Sequence, residues 1–207
     1  MKSQPVIVVL AAGRGSRFAG PLHKLVQPLG GVSVLGQTLG HAIETRLPVV
    51  VVTTEPLAAE ASHWVARRDI VVVPAVGSPG AGRLGMGYSI AAGVAGRPQA
   101  GGWLVLPGDM PLVKPATLLQ VAAGLGQHAV VFAQYHGRRG HPVAFGAELF
   151  SDLVQLSGDE GARRLMARYP SFGIEVDDPG VLVDVDTEAD LVALQAAAAP
   201  VPLQPAR

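Results

Sequence analysis

Residues 6–24 have the sequence VIVVLAAGRGSRFAGPLHK, and this stretch decides how the rest of the chain is interpreted. The first five, 6–10, are apolar and rich in β-branched side chains, which predicts a short strand buried on both faces. A loop follows with two glycines, Gly13 and Gly15, which let a backbone approach a ligand closely. Three cations surround this loop: Arg14, Arg17 and Lys24. The combination predicts a polyphosphate site, and a solvent-exposed turn is the alternative.

The loop matches neither of the two common phosphate-binding motifs. A Walker A loop needs four residues between its glycines and then Gly-Lys-Ser/Thr, and no such run occurs. The dinucleotide fingerprint needs a third glycine where this chain has Phe18. The acidic residue after the next strand, Glu55, also lies far beyond the roughly 20-residue spacing that would place it on a ribose. The loop therefore predicts a phosphate site of another type.

The composition of the 207 residues excludes several classes of function. Lys+Arg and Asp+Glu are both 16, so no net charge attracts nucleic acid or an anionic membrane. The absence of cysteine excludes disulfides, thiolate catalysis and zinc–thiolate sites. There is no signal-peptide pattern, and no apolar run approaches the ~20 residues that span a bilayer. We therefore expect a cytoplasmic protein that is large enough to bury a core.

The periodicity of apolar residues predicts an α/β fold. Strands are predicted at 6–10, 48–53, 69–73, 103–107, 128–134 and 181–185. Helices are predicted at 32–45, 58–67 and 86–95, from near 114, up to 169 and after 187. Because strands and helices alternate in short units, we expect a three-layer, Rossmann-like domain over 1–195, with a mostly parallel sheet and helices on both faces. The proline-rich residues 196–207 are expected to be a disordered tail.

A second glycine cluster, residues 77–87, precedes the predicted helix 86–95. It contains five glycines and Arg83. Backbone amides at a helix N-terminus can meet an anion or the edge of a base, and Ser89 could add a hydroxyl one turn later. The cluster therefore predicts ligand contact, and a surface loop is the alternative.

An acidic residue, Asp109, follows the predicted strand 103–107. Ligands of open α/β sheets bind at the carboxyl ends of the strands, which is where Asp109 is expected. We interpret it as a metal ligand. Capping of the helix that begins near Lys114 is the alternative, and Pro111, Pro115 and the distance disfavour it.

Two further segments carry candidate site residues. Residues 135–143, YHGRRGHPV, are basic, which favours binding of a phosphate on the acceptor substrate, and a solvated hairpin is the alternative. Near the end of the chain Asp184 and Asp186 alternate by two, so they face the same side of an extended backbone. Thr187 and Asp190 have the spacing of a capping box for the last helix.

Together these motifs resemble the sugar-nucleotide and molybdenum-cofactor nucleotidyltransferases, whose domains have a GT-A-like fold. Their signature loop, Leu-Ala-Ala-Gly-x-Gly-x-Arg-Phe followed by Lys-Leu, is matched by residues 10–18 and 24–25. GMGYSIAAGV at 85–94 and Gly-Asp-Met-Pro at 108–111 also match the family. The pairing of 139–143, RGHPV, with 158–163, GDEGAR, resembles the MocA-like branch, the molybdenum-cofactor cytidylyltransferases.

The resemblance implies transfer of CMP from CTP to the phosphate of molybdenum-loaded molybdopterin, with a molybdenum hydroxylase apoenzyme as a further partner. It implies Mg²⁺ on Asp109 and Asp186, with Asp184 behind them, and catalytic roles for Lys24, Asp109 and Arg14. The nucleotide-binding residues that it implies are Leu10, Ala11, Ala12, Gly13, Arg14, Gly15, Arg17, Lys24, Arg83, Gly85, Ser89 and Gly108. The acceptor-binding residues are Arg138, Arg139, His141 and Arg163.

One residue departs from the family pattern, and three other functions stay open. The family usually has an acidic residue where this chain has His23, and that acidic residue could orient the lysine that follows it. The alternatives are a transferase of another base or acceptor (GTP, a sugar or polyol phosphate), a non-catalytic module that delivers cofactor to a hydroxylase, and an NAD(P)H-dependent reductase. The presence of Lys24, Asp109 and Asp186 argues against the non-catalytic module.

Overall fold

A seven-stranded sheet lies between two layers of helices in the computed structural model, which describes residues 3–18, 22–75, 84–158 and 161–198. The order of strands in the sheet is β5-β4-β1-β6-β8-β7-β9, and β2 and β3 form a separate two-stranded sheet. The strands are β1 Val6–Ala11, β2 Pro28–Leu29, β3 Val32–Ser33, β4 Val49–Thr53, β5 Ile70–Val72, β6 Gly102–Pro107, β7 Val130–Tyr135, β8 Arg138–Gly146 and β9 Ser171–Glu175. The helices are α1 Val34–Glu44, α2 Glu55–Ser62, α3 Met86–Ala95, α4 Pro115–Gly124, α5 Phe150–Leu153, α6 Arg163–Arg168 and α7 Glu188–Ala198.

The central strand β1 is buried on both faces, as its sequence predicts. It pairs in parallel with β4 on one side and β6 on the other. Ile7 and Val9 join the core on one face of the sheet, and Val6 and Val8 join the core on the opposite face. None of these four side chains is more than 3% exposed. Parallel pairing on both sides brings the carboxyl end of β1 beside that of β6.

Helices cover both faces, which confirms the three-layer α/β prediction. The core on one face takes side chains from α1, α2, α4 and α7, and the other takes them from α3, α5 and α6. Helix α3 lies very close to β1, because a Cβ on Gly93 would clash with Val8. Four of the six strand pairings in the large sheet are parallel, so the sheet is mostly parallel as expected.

The basic segment forms the turn of a hairpin and the start of β8, so it is not the loop that the phosphate-binding interpretation assumed. This strand is antiparallel to both β6 and β7. His136 and Gly137 form the turn before it, with φ of 50° and 71°. The Glu175 carboxylate accepts hydrogen bonds from the backbone N–H groups of His136 (2.5 Å) and Gly137 (3.3 Å). The turn thereby reverses the chain and places the basic residues within the sheet.

The predicted strand 181–185 is also wrong, because Pro179–Leu182 form a 3₁₀ helix. The Asp178 carboxylate explains this turn. It accepts from Gly180 N at 3.1 Å and, across the fold, from Lys114 N at 2.8 Å and the Thr117 hydroxyl at 2.7 Å. These bonds hold the segment in a turn against the start of α4, where an extended strand would not fit.

Other elements also differ from the sequence-based expectation. The strand β9 was not predicted, and α2 covers Glu55–Ser62 instead of 58–67. Helix α7 extends to Ala198, three residues into the predicted tail, and 199–207 lie outside the described residues. In the four described ranges no helix has both the length and the apolar character that crossing a bilayer requires.

Candidate active site

A cavity of about 630 Å³ opens at the carboxyl ends of β1 and β6. Its walls come from the loop after β1, the 3₁₀ helix Lys24–Val26, the start of α3, the start of β8 and the segment before α7. Open α/β sheets bind ligands at this edge. The glycine loop and Asp109 both lie there, as their positions after β1 and β6 predict.

An ammonium group between two carboxylates lies at the centre of the cavity. Lys24 is only 7% exposed, and its Nζ donates to Asp109 Oδ2 at 2.6 Å and to Asp186 Oδ1 at 2.7 Å. Burial alone would lower the pKa of Lys24, but the two carboxylates outweigh that effect and raise it above the usual lysine value. Lys24 therefore carries its positive charge throughout the neutral pH range.

Backbone and capping contacts bring the two carboxylates together. Asp109 follows β6, and its carbonyl accepts from Val185 N at 2.9 Å, which ties the segment before α7 to the end of β6. Asp190 Oδ2 then accepts from the N–H groups of Asp186 (3.1 Å) and Thr187 (2.7 Å). Thr187 Oγ1 accepts from Asp190 N at 3.2 Å, so the predicted capping box at the start of α7 is confirmed. These contacts orient Asp186 towards Lys24.

A second cation contacts the same aspartate from the loop after β1. Arg17 is exposed, and its Nη1 lies 2.7 Å from Asp186 Oδ2, so each oxygen of Asp186 meets a positive charge. The neighbouring Asp184 also lines the cavity. Its pKa is raised by partial burial and by the negative charges of Asp186 and Asp109. The cluster therefore groups three carboxyl side chains, Asp109, Asp184 and Asp186, around the cations Lys24 and Arg17.

The donor set of this cluster fits a divalent cation. Asp109 and Asp186 each direct one oxygen at the same point, which the Lys24 ammonium now occupies. Carboxylate oxygens are hard ligands, and Mg²⁺ is usually held by one or two of them together with substrate phosphates. Within the described ranges no three acidic or histidine side chains are grouped as a complete metal site, so the substrate would supply the remaining ligands.

A further part of the cavity lining is basic, and the described part of the chain supplies no acidic partner for it. Arg138 and Arg139 are exposed at the start of β8, and neither forms an ion pair with any residue that the structure describes. The Arg139 guanidinium lies 4.1 Å from the centre of the Phe132 ring, a cation–π contact. His141 Nδ1 is buried with no hydrogen-bond partner in the same described set. Burial lowers the pKa of His141, although Asp109 and the Val105 carbonyl oppose that shift, so the ring is neutral at pH 7.

The cavity brings together most of the residues proposed from the sequence. Those that line it are Leu10, Ala12, Gly13, Arg14, Gly15, Arg17, Lys24, Gly85, Ser89, Asp109, Arg138, Arg139, His141 and Asp186. Ala11 lies in the core of β1 instead, and Gly108 donates its N–H to Leu10 O at 2.8 Å behind the loop. Arg163 is exposed on the first turn of α6 and is not among the lining residues. Arg83 lies outside the described residues.

Several lining residues were not proposed as site residues from the sequence. Val181 and Leu182 had the pattern of a buried strand, and Met86 and Met110 appeared only as members of the motifs at 85–94 and 108–111. His23 also lines the cavity. Its position next to Lys24 was visible in the sequence, but its contacts were not.

The comparisons with known proteins agree with this geometry. Residues 7–172 match the family model described as "MobA-like NTP transferase domain". The bifunctional protein GlmU of Alkalilimnicola ehrlichii is 36% identical over 157 residues, which are 72% of this chain and 33% of that protein. The chain thus spans about a third of the length of the curated relatives that it matches.

Solved structures match the chain along almost its full length. Rv0371c of Mycobacterium tuberculosis H37Rv has a TM-score of 0.78 and 30% identity, with 94% of this chain and 99% of that chain covered. Rv0371c has also been solved as a complex with manganese. A nucleotidyl transferase of Methanothermobacter has a TM-score of 0.75 and 26% identity, with 94% and 97% of the two chains covered.

Proposed function

Because the chain belongs to the MobA-like NTP transferase family, we propose that it transfers CMP from CTP to the phosphate of molybdenum-loaded molybdopterin. In this reaction an acceptor phosphate oxygen forms a bond to the α-phosphorus of CTP. The bond from that phosphorus to the α–β bridging oxygen breaks, and pyrophosphate leaves. The observation that carries the proposal is that Lys24, Asp109 and Asp186 line the same cavity as Arg138 and Arg139.

The nucleotide side of the cavity is proposed to align and neutralise the triphosphate. Such a transfer needs little covalent chemistry from the protein, and its barrier falls when the reacting groups are aligned and the developing charge is neutralised. Lys24 would contact the α- and β-phosphates, and Arg14 and Arg17 would stabilise the leaving pyrophosphate. All three residues line the cavity next to Gly13 and Gly15.

Asp109 and Asp186 are proposed to hold Mg²⁺. When bound there, the ion would neutralise charge on the phosphate oxygens. The Lys24 ammonium now contacts both carboxylates, so it would have to leave them and move to the phosphates. Removal of divalent cation should therefore abolish turnover.

Arg138, Arg139 and His141 are proposed to bind the acceptor. Two arginines without acidic partners among the described residues are suited to a phosphate, and a neutral histidine beside them can form a hydrogen bond without adding charge. A molybdenum hydroxylase apoenzyme is the proposed recipient of the product.

Ala12 supports the choice of CTP over GTP. It lies at the end of β1, lines the cavity and is only 7% exposed. Related guanylyltransferases resemble this chain but typically have glycine there, and a Cβ narrows the space that a purine would need. A mismatched base would leave buried polar groups unpaired at about 1–3 kcal/mol each, or roughly 5–150-fold in kcat/KM.

The test is pyrophosphate release from CTP, GTP, ATP and UTP with molybdenum-loaded molybdopterin. We expect the wild type to prefer CTP and Ala12→Gly to shift the preference towards GTP without abolishing transfer. Ala59→Gly, at an exposed alanine of α2, is the matched control and should leave the preference unchanged. Equal use of CTP and GTP by the wild type would disprove the cytidylyl assignment.

Three further measurements separate the remaining alternatives. Turnover with a sugar or polyol phosphate in place of the pterin would identify another acceptor. Binding of the pterin with no release of pyrophosphate from any nucleotide would favour a delivery module. Oxidation of NAD(P)H would identify a reductase.

A further inference from the structure

His23 connects the glycine loop to the lysine that follows it. Its Nε2 lies 2.9 Å from the carbonyl oxygen of Gly13, ten residues earlier in the chain. Its Nδ1 accepts a hydrogen bond from Leu25 N at 3.2 Å, and His23 is the N-cap of the 3₁₀ helix that begins at Lys24. One side chain therefore contacts both the phosphate loop and the backbone that carries Lys24.

These two contacts assign the tautomer of the ring. The Nδ1 atom accepts from a backbone N–H, so it has no proton of its own. The proton of the neutral imidazole must then be on Nε2, which donates it to the Gly13 carbonyl. His23 acts as an acceptor towards Leu25 and as a donor towards Gly13, and it can do both only in this one form.

The imidazole also occupies the space beside Gly15. This glycine has φ of +60°, and a Cβ there would lie 3.2 Å from His23 Nε2. The loop that surrounds the proposed triphosphate site is thus packed against the ring as well as bonded to it. Its position relative to Lys24 depends on His23.

An acidic residue at position 23 could not do the same. A carboxylate can accept from Leu25 N, as N-cap residues do, but it has no proton to donate to the Gly13 carbonyl. It would instead place negative charge next to a carbonyl oxygen and close to the proposed triphosphate.

We propose that His23 is a positioning residue that sets the geometry between the nucleotide loop and Lys24. The inference rests on the proposed function, in which this loop and Lys24 bind the same triphosphate. In this proposal the histidine holds the loop through its own two hydrogen bonds. In the alternative view it only replaces the family's acidic residue less effectively. The two views predict opposite results for His23→Asp.

The experiment measures the binding of CTP and pyrophosphate by titration calorimetry in wild type, His23→Ala, His23→Gln and His23→Asp. Pyrophosphate tests the loop without any contribution from the base. Loss of both hydrogen bonds in His23→Ala should weaken binding by about tenfold, since each is a neutral bond. His23→Gln can both accept and donate, and it should keep most of the affinity. His63→Ala, at an exposed histidine far along the chain, is the matched control.

The Asp variant decides between the two views. We expect His23→Asp to bind both ligands more weakly than His23→Gln, with the acceptor KM unchanged and the melting temperature close to that of the wild type. Tighter binding or faster turnover in His23→Asp than in the wild type would overturn the proposal. Unchanged affinity in His23→Ala would also overturn it while leaving the proposed function in place. Failure of the wild type to bind CTP and pyrophosphate would refute both.

The tautomer gives a test that needs no variant. In ¹⁵N-labelled wild-type protein, the ring nitrogens of His23 should show a proton on Nε2 and none on Nδ1. A proton on Nδ1 would be incompatible with acceptance from Leu25 N and would overturn the proposal.

Discussion

The two walls of the cavity hold their positive charges differently. On the paired wall, which carries Lys24 and Arg17, both cations contact the carboxylates of Asp109 or Asp186 at 2.6–2.7 Å. On the unpaired wall, which carries Arg138 and Arg139, neither arginine has an acidic partner among the residues that the structure describes, and Arg139 lies over an aromatic ring. One wall is a network of ion pairs, and the other presents cations that are available to an anion.

This difference changes what a ligand must do at each wall. A phosphate that binds Lys24 has to replace an existing carboxylate contact, so part of the interaction energy is offset by the pair that it breaks. A phosphate that binds Arg138 or Arg139 breaks no ion pair among the described residues. Substitutions on the paired wall should therefore affect several groups at once and add poorly, because residues of one ion-pair network are coupled.

Loss of a carboxylate from the paired wall should have the largest effect. In Asp109→Asn the proposed metal site loses one of its two protein ligands, and Lys24 loses one of its two partners. We expect turnover to fall by about 10²–10³-fold or more with little change in folding, because Asp109 lies at the end of a strand. Asp177→Asn, at an exposed aspartate, should be neutral. Wild-type turnover of Asp109→Asn at limiting Mg²⁺ would contradict the metal assignment.

Removal of the Lys24 charge should have the second-largest effect. Lys24→Met should lower kcat by about 10²-fold, with a smaller rise in the nucleotide KM, because the contact is proposed to strengthen in the transition state. The same variant should bind divalent cation more tightly than the wild type in the absence of nucleotide, because no ammonium competes for Asp109 and Asp186. A Mn²⁺ titration followed by electron paramagnetic resonance measures this directly.

Lys114→Met is the control for that titration, because Lys114 is exposed and its Nζ donates to a backbone carbonyl outside the cavity. Weaker Mn²⁺ binding by Lys24→Met than by the wild type would show that the ammonium and the metal do not compete for the same carboxylates.

Substitutions on the unpaired wall should have moderate effects that are confined to the acceptor KM. Arg138→Ala and Arg139→Ala should each raise the acceptor KM by about tenfold and leave the nucleotide KM nearly unchanged, because each removes one charged contact to a phosphate. The double variant should fall short of the product of the single effects, because the two arginines are adjacent and are proposed to share one phosphate. Arg67→Ala, at an exposed arginine outside the cavity, serves as the control. A rise in the nucleotide KM instead would exchange the two substrate sides.

The smallest effect is expected at the turn of His136 and Gly137, which precedes the two arginines of the unpaired wall. Burial alone would raise the pKa of Glu175, but hydrogen bonds from the Gly137 and His136 N–H groups outweigh it and lower that pKa. A carboxyl group whose pKa is lowered by folding stabilises the fold at pH values above the ordinary glutamate pKa. This stabilisation is lost as the pH falls through the lowered pKa. Glu175→Gln should therefore melt slightly below the wild type at pH 7, and the difference should vanish in acid. A difference in melting temperature that stays constant across the pH range would contradict this role of Glu175. Glu44→Gln, at an exposed glutamate, is the control.

Sequence patterns predicted the parts of this molecule that depend on local chemistry. The β-branched run of β1 and the helix Met86–Ala95 were predicted closely, because burial on both faces and helical spacing leave direct traces in the residue order. Asp109 could be placed in the site from its position after a strand. The contacts of Lys24 with Asp109 and Asp186 could not, because they join residues 85 and 162 positions apart.

The failed predictions have equally specific causes. Val181, Val183 and Val185 alternate like a strand, but the hydrogen bonds of Asp178 impose a 3₁₀ turn, and periodicity carries no information about them. Strand β9 lies at the edge of the sheet, where Phe172 is 48% exposed, so it lacks the apolar run that revealed the central strands.

The distance along the chain between Lys24 and its partners has a consequence for how the protein is made. A growing polypeptide exposes the glycine loop and Lys24 long before Asp186 has been synthesised, and contacts across so many residues form slowly. The last helix then docks beside the early segment, where Gln195 Nε2 donates to the Pro28 carbonyl at 2.7 Å. The site is thus completed only when the two ends of the domain meet. Nucleotide and metal should therefore stabilise the finished fold alone and leave partly folded chains without that protection.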